Sequence, residues 1–203
     1  MRTAVLVCVV LLAAAVTAAA QEMLSAQQLF EAGQYDPALR EIAKERERGA
    51  AGPGDAFLAG QILVKMDQND RAKGEFARLT EAADPAWALI GESALAILDN
   101  NNQRALDAAA KAVAEAPDQF YASYQLGLAK ARVDDWAGSA DAFRRAAELN
   151  PGFAYAHYYA GLSYSRIKRA DRTAEHFERF LKLAPNAPER PALEALMRTL
   201  RGR

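Results

Sequence analysis

Cysteine is almost missing from this chain. The single one, Cys8, falls within the first twenty residues. A chain that loses that segment has no disulfide, no thiolate nucleophile and no cysteine metal site. Histidine is nearly as scarce, with only His157 and His176. The stretch "EHFER" around His176 lacks the second histidine of a zinc-protease helix, and neither a glycine-rich phosphate loop nor a serine elbow occurs. Glu175 and His176 are consecutive and diverge by about 100° on a helix. No convergent catalytic group emerges, so the chain is expected not to be an enzyme and to carry no cofactor and no metal. β-Branched residues are sparse beyond the first twenty positions, whereas alanine, leucine, glutamate and arginine dominate. That disfavours strands and predicts an all-α protein. A strong charge of either sign is also absent: the formal net charge is −1, which gives no general footprint for nucleic acid.

The N-terminus does carry something distinct. Arg2 precedes an apolar or weakly polar run from Ala4 to Val16, and "TAAAQ" follows. This is the pattern of an export signal at 1–20, with Ala18 and Ala20 as the small residues of a cleavage site and Gln21 as the first mature residue. The expected location is therefore the periplasm or the exterior, with no membrane insertion after cleavage. The alternative is an uncleaved anchor through residues 3–20, a run close to the spanning minimum of ~17 residues. No small-residue lipobox precedes Cys8.

Beyond the signal the chain repeats itself. "YASYQLGLAKAR" begins at Tyr121 and "YAHYYAGLSYSR" at Tyr155, and Pro117, Pro151 and Pro185 follow the same 34-residue interval. Three further columns run the length of the chain at intervals of 33 or 34 residues. They are Ala26, Gly60, Ser93, Gly127 and Gly161; Ala38, Ala72, Ala105, Ser139 and Thr173; and Ile42, Phe76, Ala109, Phe143 and Phe177. Such a period marks stacked supersecondary units. Each unit parses as two helices. Asp36 before Pro37 reads as an N-cap, Gly33 as a left-handed turn, Asn100 to Asn102 as an inter-helix turn, and Asp134 or Asp135 as the cap of a helix beginning near Trp136.

These columns resemble the tetratricopeptide repeat family, most strongly from residue 117 onward. The fourth unit holds Leu126, Gly127, Ser139, Phe143, Ala146 and Pro151 at the family's signature positions, and the fifth holds Gly161, Phe177 and Pro185. The resemblance implies a right-handed α-solenoid of about five helix-turn-helix repeats at about 21–52, 53–85, 86–119, 120–153 and 154–187. Residues 188–203 then read as a C-terminal capping helix, with Leu193, Leu196, Met197 and Leu200 on one face. Gly127 and Ser139 would lie where two helices cross within about 8–10 Å, with Phe143 filling the space between them. Units of this size cannot bury their own apolar faces and must stack.

Tyr121, Tyr124, Leu128 and Arg132 are spaced 3, 4 and 4 and so form one helical stripe, which Tyr155, Tyr158, Leu162 and Arg166 repeat. Trp87, Ile90, Ala94 and Leu98 continue it in the third unit. In the family the first helix of each pair lines the concave surface, so the resemblance implies that this stripe faces a groove. Tyr121, Tyr124, Gln125, Arg132, Tyr155, Tyr158, Tyr159 and Arg166 are the candidate partner-binding residues. Tyrosine offers apolar area with a polar tip and arginine pairs bidentately with carboxylate, a combination suited to a peptide or protein segment. Tyr124 and Tyr158 also read as packing residues of the scaffold. The lysine and asparagine clamp of chaperone-binding members is absent, since Gln125, Leu128, Tyr159 and Leu162 stand at the corresponding places. The expected function is an exported protein-protein interaction module or scaffold. The alternatives are a self-assembling structural repeat protein of the cell envelope and an accessory subunit of an envelope enzyme.

Overall fold

The computed structural model describes residues 24–201; the expected signal and its cleavage site lie outside the described residues. Every regular element in that span is a helix, and the helices come in five pairs. They are α1 (Ala26–Glu31) with α2 (Tyr35–Glu47), α3 (Pro53–Lys65) with α4 (Asn69–Thr80), α5 (Pro85–Leu98) with α6 (Asn102–Glu115), α7 (Phe120–Arg132) with α8 (Trp136–Leu149), and α9 (Ala154–Arg166) with α10 (Ala170–Leu183); α11 (Arg190–Arg201) follows. Among the described residues no helix is long and apolar enough to cross a membrane.

Every pair turns the same way. Gly33, Asp67, Asn100, Asp134 and Lys168 all adopt left-handed backbone, with φ of 72°, 57°, 58°, 58° and 59°. Each N–H at these positions bonds to the carbonyl three residues back, and the next N–H reaches five back: Gln34 to Leu29, Gln68 to Leu63, Asn101 to Ala96, Asp135 to Lys130, Arg169 to Tyr164. This double bond satisfies the last carbonyls of the first helix and reverses the chain. Helix starts are set locally as well. Asp84 accepts from the Ala86 N–H at 2.9 Å with Pro85 next in line, Asn101 accepts from Arg104 at 3.2 Å and Asp135 from Gly138 at 2.9 Å. Asp36 does not cap α2 as its sequence context suggested. That helix begins at Tyr35, with Gln34 as the flanking residue and Asp36 in the first turn, where its charge favours the positive end of the helix dipole.

Within each pair the small columns set the approach of the helices. A Cβ on Gly60 would come 2.2 Å from the Phe76 ring, on Gly127 2.8 Å from Phe143, and on Gly161 2.5 Å from Phe177. Ser139 Oγ donates to the Gly127 carbonyl at 2.9 Å, and Ser93 Oγ to the Ala105 carbonyl at 2.8 Å. Ala38, Ala72, Ala105, Ser139 and Thr173 are all buried, as are Ile42, Phe76, Ala109, Phe143 and Phe177. Burying each such phenylalanine contributes about 1.5–3 kcal/mol. At the C-terminal end α11 packs Leu193 and Met197 into the core and leaves Arg198 exposed.

The first two helix pairs meet the last pair and the segment that follows it. Glu31, buried at the end of α1, accepts the Ala154 N–H at 2.9 Å, which places a carboxylate on the positive N-terminus of α9. Gln27 donates to the Gly152 carbonyl at 3.2 Å. Phe30 packs on Tyr155 with ring centroids 4.6 Å apart. Lys65, the last residue of α3, donates to Glu189 at 2.8 Å, and the Tyr155 hydroxyl donates to the same carboxylate at 3.1 Å. Pro188 sits on Gly33, where a Cβ would meet its ring at 2.5 Å. Ordering contacts 123 and 124 residues apart in sequence carries an entropic cost that apolar burial around Phe30 and Tyr155 offsets.

Candidate functional site

The closure divides the repeated stripe in two. Its N-terminal part, toward the start of each first helix, is an aromatic core. Tyr124 and Tyr155 are fully buried. Tyr124 makes edge contacts with Phe57, Phe143, Phe153 and Tyr159, and Tyr155 lies between Phe30 and Phe180. Tyr121, half-buried, packs on Trp87 at 4.8 Å and Phe57 at 5.3 Å. Tyr158 packs on Phe180 at 5.2 Å beneath the Lys65 ammonium. Burial first, and the nearby Asp55 second, pushes the Tyr121 phenol up to about 12. Burial first, and Glu189 second, raises Tyr155 well above its usual value. These hydroxyls stay protonated at neutral pH, and that of Tyr155 donates to Glu189. The four tyrosines expected to be displayed in a groove are here covered by the chain itself: Tyr155 by Phe30 of α1 and by Glu189, Tyr121 and Tyr124 by Phe57 of α3.

The C-terminal part stays open. The ends of α3, α5, α7 and α9 enclose a cavity of about 320 Å³ that reaches inward to Phe76 and Phe143. Gln125, Arg132, Tyr159 and Arg166 all line it, together with aliphatic Leu128 and Leu162. Half of the eight candidates therefore converge here, and the other four pack behind it. Gln125 is fully buried, and its amide nitrogen donates to Ser93 Oγ at 3.0 Å. Its carbonyl oxygen has no hydrogen-bond partner among the described residues. Arg132 and Arg166 are exposed at the mouth. Arg132 donates to the Asn100 side chain at 2.8 Å, and the Arg166 guanidinium lies 5.0 Å over the Trp136 ring. Among the described residues neither arginine has an ion-pair partner. Of the exposed large apolar residues, Val64 lines the opening; Val133 and Ile167 follow Arg132 and Arg166 as the C-caps of α7 and α9.

A second cluster lies elsewhere. His157 on α9 and His176 on α10 bring their Nδ1 atoms to 3.2 Å, and Tyr164 stacks on His176 at 5.3 Å. One ring must present N–H and the other a lone pair, so at least the accepting ring is neutral. Burial first, then the neighbouring His176, holds His157 down at about 4, and burial lowers His176 too. Both residues fall within the fifth unit, 19 residues apart, one on each of its helices. Among the described residues no group of three or more histidine, cysteine, aspartate or glutamate side chains could hold a metal ion.

No family model matches the chain, and no curated protein matches it. Solved structures do. The tetratricopeptide-repeat protein TTC0263 of Thermus thermophilus aligns with a TM-score of 0.61 over 88% of this chain and 96% of its own, at 15% identity. The first such domain of Spaghetti (RPAP3), bound to the HSP90 peptide SRMEEVD, gives 0.54 over 60% and 94%, at 18% identity. The Arabidopsis OM64 domain gives 0.53 over 58% and 95%, at 13% identity. The fold is a tetratricopeptide-repeat solenoid. At these identities the likeness speaks for the architecture of the solenoid, and its chemistry rests on its own residues.

Proposed function

We propose that this solenoid is an exported protein-protein interaction module that holds a partner segment along the open half of its concave side. The observation that carries the reading is the cavity mouth, where Arg132 and Arg166, without a carboxylate partner among the described residues, edge an apolar wall of exposed Val64 with Leu98, Leu128 and Leu162. Exposed apolar residues set singly need no explanation, whereas an apolar wall rimmed by arginine is the composition of a docking surface. A fold of the same kind holds a peptide in the RPAP3 structure, which supports a protein partner for this one. Export rests on the pattern of residues 1–20, and it sets the compartment in which the partner is sought.

The test is photo-crosslinking from the rim. A crosslinking residue at Val133 of the chain from Gln21 onward, mixed with envelope extract, should yield a discrete partner by mass spectrometry, whereas one at exposed Ala110 on α6 should not. Arg132→Ala with Arg166→Ala should reduce the crosslink by about 2 kcal/mol of affinity or more, the cost of leaving a buried partner carboxylate unpaired. Equal yields from Val133 and Ala110, or from wild type and the double variant, would refute the docking reading.

A further inference from the structure

We propose that His157 and His176 form an acid-released clasp across the crossing of α9 and α10, and that its opening frees the segment after α10 from the first two helix pairs. The clasp is a device of the scaffold and stands apart from docking at the rim.

The contact between the rings has room for one proton. The two Nδ1 atoms lie 3.2 Å apart and the ring centroids 5.4 Å apart, a difference of about two ring radii, so the nitrogens face each other nearly end to end. An N–H of about 1 Å on each ring would bring the two hydrogens within about 1.2 Å, far inside contact distance. One Nδ1 therefore donates, and the facing Nδ1 must keep its lone pair. An imidazolium carries a proton on both of its ring nitrogens, so a doubly charged pair cannot hold this contact. Its rings must part.

The helices around the pair leave no slack for that. His157 stands about one turn before Gly161 on α9, and His176 directly precedes Phe177 on α10; a Cβ on Gly161 would already meet the Phe177 ring at 2.5 Å. Parting the rings therefore lifts α10 from α9. The segment after α10 moves with it, carrying Glu189, which accepts from Lys65 and Tyr155, and Pro188, which covers Gly33. The charged groups about the pair are Arg172, Glu175 and Arg179 of α10 and Arg144 of α8, with Glu178 and Lys182 lining the same cavity of about 430 Å³. From α9 comes the Tyr164 ring, and from the turn before it the Pro151 carbonyl. Burial is the first cause that keeps both rings uncharged, the facing ring and the arginines add to it, and Glu175 and the Pro151 carbonyl pull the other way. The clasp is shut at neutral pH, and acid opens it.

The experiment is amide hydrogen exchange of the chain from Gln21 onward, read by mass spectrometry at about pH 7 and about pH 4.5. At each pH the wild type is compared with the double variant His157→Asn, His176→Asn, so that intrinsic exchange cancels and the closure carboxylates are common to both. Parted rings titrate near the ordinary 6.5, whereas His157 in place titrates at about 4, so acid favours the open form. Relative to the double variant, α9, α10 and α11 should exchange more than about tenfold faster at the lower pH than at the higher, while α5 and α6 keep their ratio. His157→Phe and His176→Phe should each remove most of this acceleration, because a lone ring meets no facing N–H. If the double variant does not fold, these two single variants are compared with wild type by the same ratio. An equal ratio at both pH values, acceleration spread evenly into α5 and α6, or single variants whose effects merely add up to that of the pair would overturn the inference. The readout needs no partner, so the docking reading stands or falls separately.

Discussion

Gly127→Ala and Gly74→Ala make the same chemical change in two helix interiors and should move stability in different directions. In α4 nothing lies within 4 Å of a Cβ added to Gly74, so alanine gains only helix propensity, about 0.8–1.0 kcal/mol. In α7 the same gain is opposed. A Cβ on Gly127 would sit 2.8 Å from three atoms of the Phe143 ring, and that ring cannot retreat, because it is buried and stacked on Tyr159 at 5.3 Å. Overpacking of this kind costs about 1–3 kcal/mol, which is then the expected stability difference between the two variants. For a chain of this length each kcal/mol moves Tm by about 2–4 °C, so Gly127→Ala should melt about 2–12 °C below Gly74→Ala. Thermal melts followed by circular dichroism, with urea unfolding as a second measure, read it directly. A Gly127→Ala protein melting at or above Gly74→Ala would refute the close crossing of α7 and α8.

Other consequences are as definite. Lys168 occupies left-handed backbone at φ 59°, a strain of about 1–2 kcal/mol for a side-chain-bearing residue, so Lys168→Gly should raise Tm by a few degrees despite the added chain entropy. Glu189→Gln removes the charge that Lys65 and Tyr155 share and should cost about 1.5–3 kcal/mol by urea unfolding; an unchanged midpoint would mean that the closure contributes nothing to stability. His157 is held at about 4, below its ordinary 6.5, so the unfolded chain takes up the proton first and stability should fall as pH drops from about 6.5 toward 4. His157→Asn should remove part of that fall in melts at stepped pH; the comparison with wild type isolates the histidine, because burial raises the Glu31 carboxyl and gives it the opposite sign. N-terminal sequencing of protein recovered from outside the cytoplasm should begin at Gln21, and an intact Met1 on a membrane-bound product would restore the anchor.

The solenoid was legible because its determinants are local and repeated. Gly60, Gly127 and Gly161 recur at fixed intervals with the phenylalanines they face, and a periodic pair of this kind encodes a helix crossing without knowledge of the rest of the fold. The inter-helix turn was only half visible: Gly33, Asn100 and Asp134 belong to residue types that tolerate positive φ, whereas Lys168 does not and holds the same turn through its neighbours' packing. The closure of the ends had no sequence signature at all. Glu31, Lys65 and Glu189 each read as ordinary helix-surface charges, and nothing in their spacing links residue 31 to 154 or 65 to 189. Tyr121 and Tyr155 hold equivalent places on α7 and α9, but what lies against them depends on those long-range contacts.

The two halves of the repeated phrase therefore have different physical roles. Tyrosine at the start of each first helix can be covered by the chain itself, because a phenol buries its ring at little conformational cost and donates its hydroxyl to an acceptor such as Glu189. Arginine at the end of the same helix resists such burial, because a guanidinium withdrawn from water requires a matched anion, and none lies within ion-pair distance among the described residues. Closure therefore stops short of Arg132 and Arg166 and leaves the cavity open beside them. Arg166→Leu, whose neighbour Trp136 already offers a ring at 5.0 Å, should let that edge pack more tightly. The expected result is a modest rise in Tm, up to about 1 kcal/mol in stability, with loss of rim crosslinking. A gain of stability at the cost of binding is the mark of a residue kept for an anionic partner, and a loss of both would make Arg166 part of the scaffold.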